Sequence, residues 1–297
     1  MHLLVFGRTG QVGHELQRRA PAGVTITALD RTSVDITLAA SVARAIAAAG
    51  CDVVVNAAAH TAVDLAESEP ESAFAVNADG PAFMAEACAA AGLPLIHLST
   101  DYVFDGSKAG AYREDDPIAP LGVYGASKAA GERAVRERLP EHVIVRTAWV
   151  FGAHGKNFVK TMLRLGAERD ALRIVADQTG CPTAAADIAD AVLAVARQVA
   201  GRPADAPWGT YHFCGAERTT WHGFAASVFA LRQELTGQAS PRLDPIRTEE
   251  YPTPARRPMN SELDCSRIRQ AFGIAAPDWH RSLADVMREL LEPQTRA

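Results

Sequence analysis

Three glycines near the start of the chain constrain its fold more than any other feature. Gly7, Gly10 and Gly13 follow the apolar run at residues 2–7 and open a helix-forming segment. A backbone that turns tightly and closely approaches a pyrophosphate has no room for a Cβ, and the helix that follows directs its N-terminus at the anion. A plain strand-to-helix turn needs only one glycine. The pattern therefore predicts a dinucleotide-binding βα unit.

Short apolar runs alternate with helix-forming stretches through the first part of the chain. The runs are rich in Val, Ile and Leu, as strands covered on both faces are. They lie at residues 2–7, 25–30, 52–58, 94–100, 143–150 and 172–177. Helices are predicted between them, for example at residues 41–49, 71–91 and 127–138. This alternation predicts an α/β fold with a Rossmann-type, doubly wound parallel sheet, which binds ligands at the carboxyl ends of its strands.

The alternation becomes less regular after about residue 150. Pro and Gly cluster at 201–209 and 251–258, and the segments around them predict a strand at 209–213 and helices at 221–235 and 279–291. We therefore expect residues 1–150 to form the dinucleotide-binding domain. Residues 151–297 are expected to form mainly a smaller substrate-binding lobe. The boundary is nominal, because the chain can cross between the lobes more than once.

Composition and charge exclude several classes of protein. The 30 Lys and Arg residues against 35 Asp and Glu give a net charge of −5, which argues against nucleic acid or an anionic membrane as partner. No apolar run approaches the roughly 20 residues that cross a bilayer, and the N-terminus lacks the basic region of a signal peptide. The five cysteines are scattered without a CxxC pair. Free thiols suit a reducing compartment, so a cytoplasmic location is expected.

An acidic residue ends the second predicted strand. Asp30 follows the glycine loop by about twenty residues, where a carboxylate hydrogen-bonds the adenine ribose in dinucleotide-binding folds. A carboxylate that only closes a turn is the alternative. Arg8 in the glycine loop and Arg31 next to Asp30 complicate the choice of cofactor, since a guanidinium can pair with a 2′-phosphate. The acid favours NAD(H), the arginines permit NADP(H), and the sequence leaves both open.

Tyr124 and Lys128 form the most informative pair in the chain. Residues at i and i+4 share one face of a helix, although such a pair is also a common surface contact. A nearby cation lowers the pKa of a phenol from about 10, which would help Tyr124 to exchange a proton with a carbonyl oxygen. Thr100 ends the fourth predicted strand and is expected beside the same cleft, where its hydroxyl can hydrogen-bond that carbonyl. Together these residues predict a carbonyl-reducing site.

The order of these motifs resembles that of the extended short-chain dehydrogenase/reductases. The chain carries GxxGxxG, then STDYVFDG, then YxxxK. Further segments narrow the resemblance to the dTDP-4-dehydrorhamnose reductases within that family. They are GRTGQVGHEL, DVVVNAAAHTAVDLAESEP, VYGASKAAGE, RTAWVFG, NFVKTML, DQTGCPT and YPTPARRPMNSEL. The resemblance covers nearly the whole chain.

The resemblance implies NAD(P)H-dependent reduction of the C4 ketone of dTDP-4-dehydro-β-L-rhamnose to dTDP-L-rhamnose. Tyr124 would protonate the developing alkoxide, Lys128 would tune Tyr124 and hold the nicotinamide ribose, and Thr100 would polarise the ketone. Asn77 is expected to brace the helix near the cofactor. The implied cofactor-binding residues are Gly7, Gly10, Gln11, Val12, Gly13, Asp30, Asp35, Ile36, Ala58, Ala59, His60, Thr61, Tyr124 and Lys128.

The implied substrate-binding residues lie at strand ends and in one Pro-rich stretch. They are Thr100, Asp101, Trp149 and Arg257. Arg257 and its neighbour Arg256 could reach a nucleotide diphosphate, because the planar guanidinium group matches the geometry of phosphate oxygens. For these arginines a solvated loop position is the alternative, and for Trp149 the alternative is a core aromatic.

Some members of the family are thought to dimerise around a magnesium ion held by acidic side chains. Glu15 and Glu289 stand at two corresponding positions, but Ala186 stands at the third, with Asp187 beside it. Loss of a carboxylate weakens a site for a hard cation. The resemblance therefore argues against Mg²⁺ here and leaves a homodimer through other contacts open. The histidines, among them His14, show no metal-ligand spacing.

Two other functions stay open at this point. A nucleotide-sugar epimerase or dehydratase of the extended family would share the cofactor domain. A dehydratase commonly has an acidic pair after the strand-end Thr, whereas Thr100 is followed by Asp101 and Tyr102. A non-catalytic, reductase-like regulatory subunit would keep the fold and bind a partner through its surface. The presence of Thr100, Tyr124 and Lys128 argues against that function.

Overall fold

The computed structural model describes residues 1–201 and 203–291. The strands are β1 (His2–Phe6), β2 (Thr25–Leu29), β3 (Val53–Asn56), β4 (Leu95–Thr100), β5 (His142–Thr147), β6 (Val150–Phe151), β7 (Ala171–Val175), β8 (Thr179–Gly180), β9 (Thr183–Ala184), β10 (Gly209–His212), β11 (Thr219–Thr220), β12 (Arg242–Ile246) and β13 (Asn260–Ser261). The helices are α1 (Gln11–Arg19), α2 (Ala39–Ala49), α3 (Val63–Ser68), α4 (Pro70–Phe74), α5 (Gly80–Ala91), α6 (Val123–Arg138), α7 (Phe158–Glu168), α8 (Ala185–Val199), α9 (Trp221–Thr236), α10 (Ser266–Phe272) and α11 (Trp279–Leu291). A π-helical turn at Ala75–Asp79 joins α4 to α5, so the single helix predicted over residues 71–91 is interrupted.

The central sheet has six strands in the order β10-β5-β4-β3-β1-β2, and every neighbouring pair is parallel. This confirms the predicted α/β fold. One strand assignment within it was wrong. The run at 172–177 forms β7, which pairs with β12 outside the central sheet, and the sixth strand is β10 from the second half of the chain. The division into two lobes at residue 150 stays a prediction.

The strand order places a crevice at the carboxyl ends of β1 and β3, in the middle of the sheet. The chain passes from β1 to β2 on one side and then crosses to β3 on the other. Ligands of doubly wound sheets bind at such a reversal, outside the carboxyl ends of the strands. The glycine loop follows β1 directly and therefore lies at this crevice.

Apolar side chains cover both faces of the sheet. One buried cluster packs the sheet against α1, α8 and α10, and another packs it against α2, α5 and α6. A third cluster lies away from the sheet and joins α7, α9 and α11 to β7. Among residues 1–201 and 203–291, no helix combines the length and the apolar character needed to cross a membrane.

A buried ion pair fastens α6 to the sheet. Glu132, on α6, accepts hydrogen bonds from Arg146 Nε at 2.8 Å and from Arg146 Nη2 at 2.7 Å, and both side chains are 2 % exposed or less. Ser99 on β4 donates its hydroxyl to the same carboxylate at 2.6 Å. Burial alone would raise the pKa of Glu132, but the bonds from Arg146 and Ser99 hold that pKa below its usual value.

We expect Glu132→Gln to destabilise the fold strongly, because it leaves the Arg146 guanidinium buried without its counter-charge. Loss of one partner of a buried pair costs about 3–5 kcal/mol. Glu137→Gln on the same helix is the matched control, because Glu137 is 61 % exposed and lies 4.0 Å from Arg133; it should cost less than about 1 kcal/mol. Urea unfolding of the three proteins measures the difference. Equal losses of unfolding free energy in the two variants would contradict the role of Glu132 in anchoring α6 to the sheet.

Candidate active site

The glycine loop has the shape that a pyrophosphate cradle requires. Gly7 has φ +102°, and a Cβ there would lie 2.6 Å from the Ala57 carbonyl carbon. A Cβ on Gly13 would collide with the Gly7 carbonyl oxygen. Gly10 is the N-cap of α1 and has no side chain to occupy the first amide groups of that helix, which are the groups that bind an anion. The loop therefore fits a dinucleotide.

The residues after Gly10 connect the loop to the rest of the molecule. Gln11 Oε1 accepts a hydrogen bond from Asn157 Nδ2 at 2.9 Å, and Asn157 also caps α7 through Lys160 N. Val12 is partly buried and packs against the core on the α1 face of the sheet. The start of α1 is thus joined to the segment that follows β6.

Asp30 follows β2, at the end of the crevice where an adenine ribose is expected. Its Oδ1 accepts hydrogen bonds from the backbone of Thr32 at 3.0 Å and of Ser33 at 3.1 Å, and from both hydroxyls. The hydroxyl of Thr32 is the largest of the influences that lower the pKa of Asp30 to about 2. The carboxylate closes a turn with bonds to one of its two oxygens, and its contact with a ribose stays a prediction. Arg8 and Arg31 are exposed.

The remaining predicted cofactor residues line the same edge of the sheet. Asp35 Oδ1 accepts from Thr37 N at 2.9 Å and closes a second turn. Ile36 packs against Gly80 at the start of α5, where a Cβ would come within 3.3 Å of Ile36 Cδ1. Ala58, Ala59, His60 and Thr61 follow β3, and Ala58 N donates to Asn56 Oδ1 at 3.0 Å.

Asn77 joins the loop after β3 to α6. Its Oδ1 accepts from His60 N at 2.8 Å, and its Nδ2 donates to His60 O at 3.1 Å and to Ser127 Oγ at 3.0 Å. The side chain is fully buried in the π-helical turn. Asn77 thus braces both the loop at residues 58–61 and the helix that carries Tyr124.

The structure brings Thr100, Tyr124 and Lys128 together at the carboxyl end of β4. The Tyr124 hydroxyl lies beside the Thr100 side chain, whose Oγ1 donates to Asp101 Oδ1 at 3.0 Å. Lys128 Nζ donates to Leu98 O at 2.7 Å. Helix α6 begins at Val123, four residues before the predicted start, so both Tyr124 and Lys128 are helical. Glu67 accepts from Val123 N at 2.8 Å and satisfies an amide of the first turn.

The electrostatics of Tyr124 differ from the prediction. Burial raises the pKa of Tyr124 above the ordinary value of a phenol, and the neighbouring Thr100 hydroxyl opposes this shift only in part. The ammonium of Lys128 is directed at the Leu98 carbonyl, and burial lowers the pKa of Lys128 to about 8, with Glu132 opposing. The expected lowering of the phenol pKa was therefore wrong for this structure. Tyr124 is protonated at neutral pH, which is the form that can give a proton to a substrate.

Arg257 lies in the site and is not a solvated loop residue. Its Nη2 donates to Asp64 Oδ2 at 2.7 Å, and its Nη1 donates to the Tyr102 hydroxyl at 3.3 Å. The Tyr102 ring meets that of Tyr124 edge to face, with centroids 5.4 Å apart. The sequence analysis did not single out Asp64, and it named Tyr102 only as the residue after Asp101. No local pattern links them to a residue 155 or more positions away.

Trp149 stands at the end of β5 in a strained backbone conformation. Its φ of +49° is rare for a residue with a large side chain, and such strain persists where packing enforces it. The ring stacks on Trp221, with centroids 3.6 Å apart, and its edge lies against Gly180. Trp149 is partly buried and packs against two apolar clusters of the structure, and its contact with a substrate stays a prediction.

A cavity of about 420 Å³ opens beside Arg257. Residues of the segment at 105–107 line one side, and residues of the segment at 248–259 line the other, Arg256 and Tyr251 among them. Arg257 connects this cavity to Tyr124 through the Tyr102 ring, which it reaches by a hydrogen bond to the Tyr102 hydroxyl.

The residues at the predicted magnesium positions do not fit a hard cation. Arg18 joins the two carboxylates, with Nη2 2.9 Å from Glu15 Oε2 and Nη1 3.3 Å from Glu289 Oε2. Ala186 offers no ligand, and Asp187 accepts from Ser282 Oγ at 2.6 Å. The carboxylates already have a counter-charge, and the third oxygen ligand is missing.

Asp101 yields a pH-dependent prediction. Its Oδ1 accepts from Thr100 Oγ1 at 3.0 Å, and burial raises its pKa to about 6, with this bond and the nearby Ser261 hydroxyl opposing the shift. Because the folded protein favours the protonated form, stability from this group is present below pH 4 and is lost as the pH rises through 6. Asp101→Asn should therefore gain about 2–3 kcal/mol relative to the wild type between pH 4 and pH 8.

Unfolding free energies measured across that pH range test this prediction. Asp115→Asn, a change at an exposed carboxylate, is the control and should keep a constant difference from the wild type. A difference for Asp101→Asn that does not change with pH would exclude a raised pKa at Asp101.

Comparisons with known proteins agree with this geometry. Residues 1–292 match the family model described as the RmlD substrate binding domain. A dTDP-4-dehydrorhamnose reductase of Sinorhizobium fredii is 46% identical over 291 residues, which are 98% of each protein. The crystal structure of a Clostridium acetobutylicum dTDP-4-dehydrorhamnose reductase superposes with a TM-score of 0.91 at 36% identity and covers 98% of this chain and 99% of its own.

A second solved structure, dTDP-4-dehydrorhamnose reductase from Bacillus anthracis in complex with NADP, has a TM-score of 0.90 at 34% identity. It covers 97% of this chain and 99% of its own. The sequence matches extend over nearly the whole of both proteins, and the folds coincide. The chain therefore belongs to the RmlD family of dTDP-4-dehydrorhamnose reductases.

Proposed function

We propose that this protein reduces the C4 ketone of dTDP-4-dehydro-β-L-rhamnose to the alcohol of dTDP-L-rhamnose, with NADPH or NADH as reductant. The proximity of the Tyr124 and Thr100 hydroxyls at the carboxyl end of β4, with Lys128 one turn further along α6, carries the proposal. A ketone oxygen placed between the two hydroxyls would meet both. Two donors aimed at one oxygen stabilise the negative charge that develops there during reduction.

Tyr124 acts as the general acid in this proposal. Its raised pKa keeps the phenol protonated, so a proton is available at its hydroxyl oxygen for the alkoxide at C4. Thr100 would turn its hydroxyl from Asp101 Oδ1 to the same oxygen and polarise the ketone. Helix α6 holds the phenol in place through the buried Glu132, one turn beyond Lys128.

The glycine loop and Asp30 would hold the dinucleotide. The amide groups at the start of α1 would bind the pyrophosphate, and Asp30 would accept a hydrogen bond from the adenine ribose. When bound, the nicotinamide supplies the hydride to C4. Lys128 would move its ammonium from Leu98 O towards the nicotinamide ribose. The relative from Bacillus anthracis is in complex with NADP. Arg8 N donates to Leu29 O at 2.9 Å, and Arg31 follows Asp30, so both exposed arginines lie near Asp30 and could pair with a 2′-phosphate.

The cavity beside Arg257 would receive the nucleotide diphosphate. Arg256 and Arg257 would contact the phosphates, because a guanidinium matches phosphate oxygens in two-point hydrogen bonds. Asp101 and Trp149 would line the sugar subsite between this cavity and Tyr124. In this arrangement residues 151–297 serve mainly as the substrate-binding lobe, and residues 1–150 serve as the dinucleotide-binding domain.

Two observations favour reduction over the alternatives. Thr100 is followed by Asp101 and then Tyr102, so the acidic pair that a dehydratase commonly carries is incomplete. A regulatory subunit has no need of a buried, protonated Tyr124 beside Thr100. Buried Cys51 and Cys88 are free thiols, which suits the proposed cytoplasmic location. A homodimer is also proposed, and sedimentation equilibrium of the purified chain tests it.

A coupled measurement tests the reaction and ranks the cofactors. Oxidation of NADPH and NADH is followed at 340 nm with enzymatically prepared dTDP-4-dehydro-L-rhamnose, and the product is identified by NMR. We expect formation of dTDP-L-rhamnose. A folded protein that binds the dinucleotide but gives no product would overturn the proposal in favour of another nucleotide sugar or a regulatory role.

Tyr124→Phe should lower kcat by about 10²–10⁴-fold, because it removes the proton donor and leaves the cofactor site intact. Dinucleotide affinity, measured by titration calorimetry, should stay within about twofold of the wild type. Tyr211→Phe removes a phenol that bonds Pro207 O far from the site and is the control. Retention of full turnover in Tyr124→Phe would exclude the general-acid role.

Lys128→Ala should weaken dinucleotide binding as well as turnover, because the ammonium is proposed to hold the nicotinamide ribose. Lys128→Met keeps the aliphatic stem packed and separates loss of charge from loss of packing. We expect both variants to lower affinity by at least about tenfold, the value of one charge-assisted hydrogen bond. Unchanged affinity in the two variants would contradict the cofactor role of Lys128.

A further inference from the structure

Three of the five cysteines meet in the folded chain, although they are scattered in the sequence. Cys181 follows β8, Cys214 lies two residues after β10, and Cys265 immediately precedes α10. They belong to one apolar cluster together with Leu263. All five cysteines are free thiols. The spacing along the chain predicted free thiols, but it could not show which of them become neighbours on folding.

The sulfur atoms of Cys214 and Cys265 are in contact. Their Sγ atoms are 3.7 Å apart, and the two residues are separated by 51 positions in the sequence. A disulfide bond is about 2.05 Å long, so the two sulfurs would have to approach by roughly 1.7 Å. Rotation of the two side chains can supply a movement of this size. Cys181 also lies beside Cys214.

Hydrogen bonds hold the backbone on both sides of this thiol pair. Phe213 N donates to Arg146 O at 2.9 Å, and Asp264 N donates to Tyr112 O at 2.8 Å. The carbonyl oxygen of Leu263 lies 3.5 Å from one thiol and 3.8 Å from the other and accepts a weak hydrogen bond from each. The two side chains are therefore directed at the same place by segments that are already fixed.

The two thiols differ in reactivity. The sulfur of Cys265 lies against the Cys214 thiol and accepts a hydrogen bond from Cys214 N at 3.3 Å. The contact with the Cys214 thiol lowers the pKa of Cys265, whereas Cys181, Cys265 and burial raise the pKa of Cys214. Cys265 is partly exposed and Cys214 is buried. A partly exposed thiol that ionises more readily, next to a second thiol, is typical of cysteine pairs that respond to oxidants.

We propose that Cys214 and Cys265 are a site of reversible oxidation, at which a hydroperoxide converts the two thiols into an intramolecular disulfide. Cys265 is the thiol that reacts with the oxidant, because it is the more exposed of the two. Cys214 is the resolving thiol, because its sulfur is already in contact with that of Cys265.

The reaction proceeds in two steps. The Cys265 thiolate attacks one oxygen of the hydroperoxide, the O–O bond breaks, and the leaving oxygen takes up the proton that Cys265 released. The Cys214 sulfur then attacks the sulfur of the Cys265 sulfenic acid, an S–S bond forms, the S–O bond breaks, and hydroxide leaves as water with the Cys214 proton. The thiols lose two electrons and two protons, and hydrogen peroxide is reduced to two waters. A dithiol reverses the reaction by thiol–disulfide exchange.

The disulfide would close a loop around one wall of the cavity beside Arg257. The chain between the two cysteines contains α9, β12 and the segment at 248–259 that lines this cavity. A cross-link between the ends of such a loop lowers the conformational entropy of the unfolded chain. We therefore expect the oxidised protein to unfold at a temperature roughly 3–8 °C higher than the reduced protein.

Oxidation of the full chain by hydrogen peroxide tests the proposal. The protein is first reduced with dithiothreitol, desalted, treated with one equivalent of peroxide and denatured with an alkylating reagent. Mass spectrometry should find three alkylated thiols in place of five and a disulfide between Cys214 and Cys265 in the peptide map. Electrophoresis without reductant should show a single chain, and dithiothreitol should restore five thiols.

Variants locate the site. Cys265→Ala should abolish both the disulfide and the rise in unfolding temperature, and this partly exposed position tolerates the change more easily than a buried one. Cys214→Ala should also prevent the disulfide and leave Cys265 as a sulfenic acid, which dimedone traps. Cys51→Ala, at a buried thiol just before β3 and outside this cluster, is the matched control and should form the disulfide as the wild type does.

Four outcomes would overturn the proposal. They are five free thiols after peroxide treatment, a disulfide between Cys181 and Cys214, a disulfide between two chains, and oxidation of Cys265 to a sulfinic acid while Cys214 stays a thiol. The disulfide must also be lost in Cys265→Ala and kept in Cys51→Ala. Because each readout is a thiol count, a mass or an unfolding temperature, failure here leaves the proposed reductase activity untouched.

Discussion

The bond between Glu132 and Arg146 is the contact on which the arrangement of the site depends. It joins the middle of α6 to β5, and Ser99 on β4 donates a hydrogen bond to the same carboxylate. Thr100 is the next residue on β4, and Lys128 is one helical turn before Glu132, so one buried ion pair sets the distance between the two sides of the site. A bidentate guanidinium–carboxylate pair has a fixed planar geometry. It therefore determines the orientation of α6 as well as its position.

Burial favours the neutral forms of the titratable side chains in the candidate site. It raises the pKa of Tyr124 and of Asp101 and lowers the pKa of Lys128. A site for carbonyl reduction benefits from this, because the phenol must hold a proton until negative charge develops on the substrate oxygen. The buried surroundings also strengthen the hydrogen bonds from Tyr124 and Thr100 to that oxygen. The same burial that makes Tyr124 a poor base thus makes it a reliable acid.

The sequence predicted the parts of the fold whose signals are local. The glycine spacing, the apolar strands and the helix at 279–291 are each encoded within a few adjacent residues, and the structure has that helix at Trp279–Leu291. What it could not predict depends on contacts between distant segments. The sixth strand of the sheet is β10, which pairs with β5 across more than sixty residues. The pair of Arg257 with Asp64 and the stacking of His14 on His154 arise in the same way. The raised pKa of Tyr124 was missed because i,i+4 spacing shows the lysine but not the burial of the phenol.

Helix α1 joins the glycine loop to the segment that follows β6. Its first turn follows the loop directly, and Asn157 in that segment donates to Gln11 at the start of the helix. His154 in the same segment stacks on His14, one turn further along α1, with ring centroids 3.4 Å apart. These two contacts hold the start of α1 against a segment about 140 residues away in the chain. The amide groups that would bind the pyrophosphate are therefore held in place before a dinucleotide arrives, and a site that is ordered in advance loses less free energy on binding.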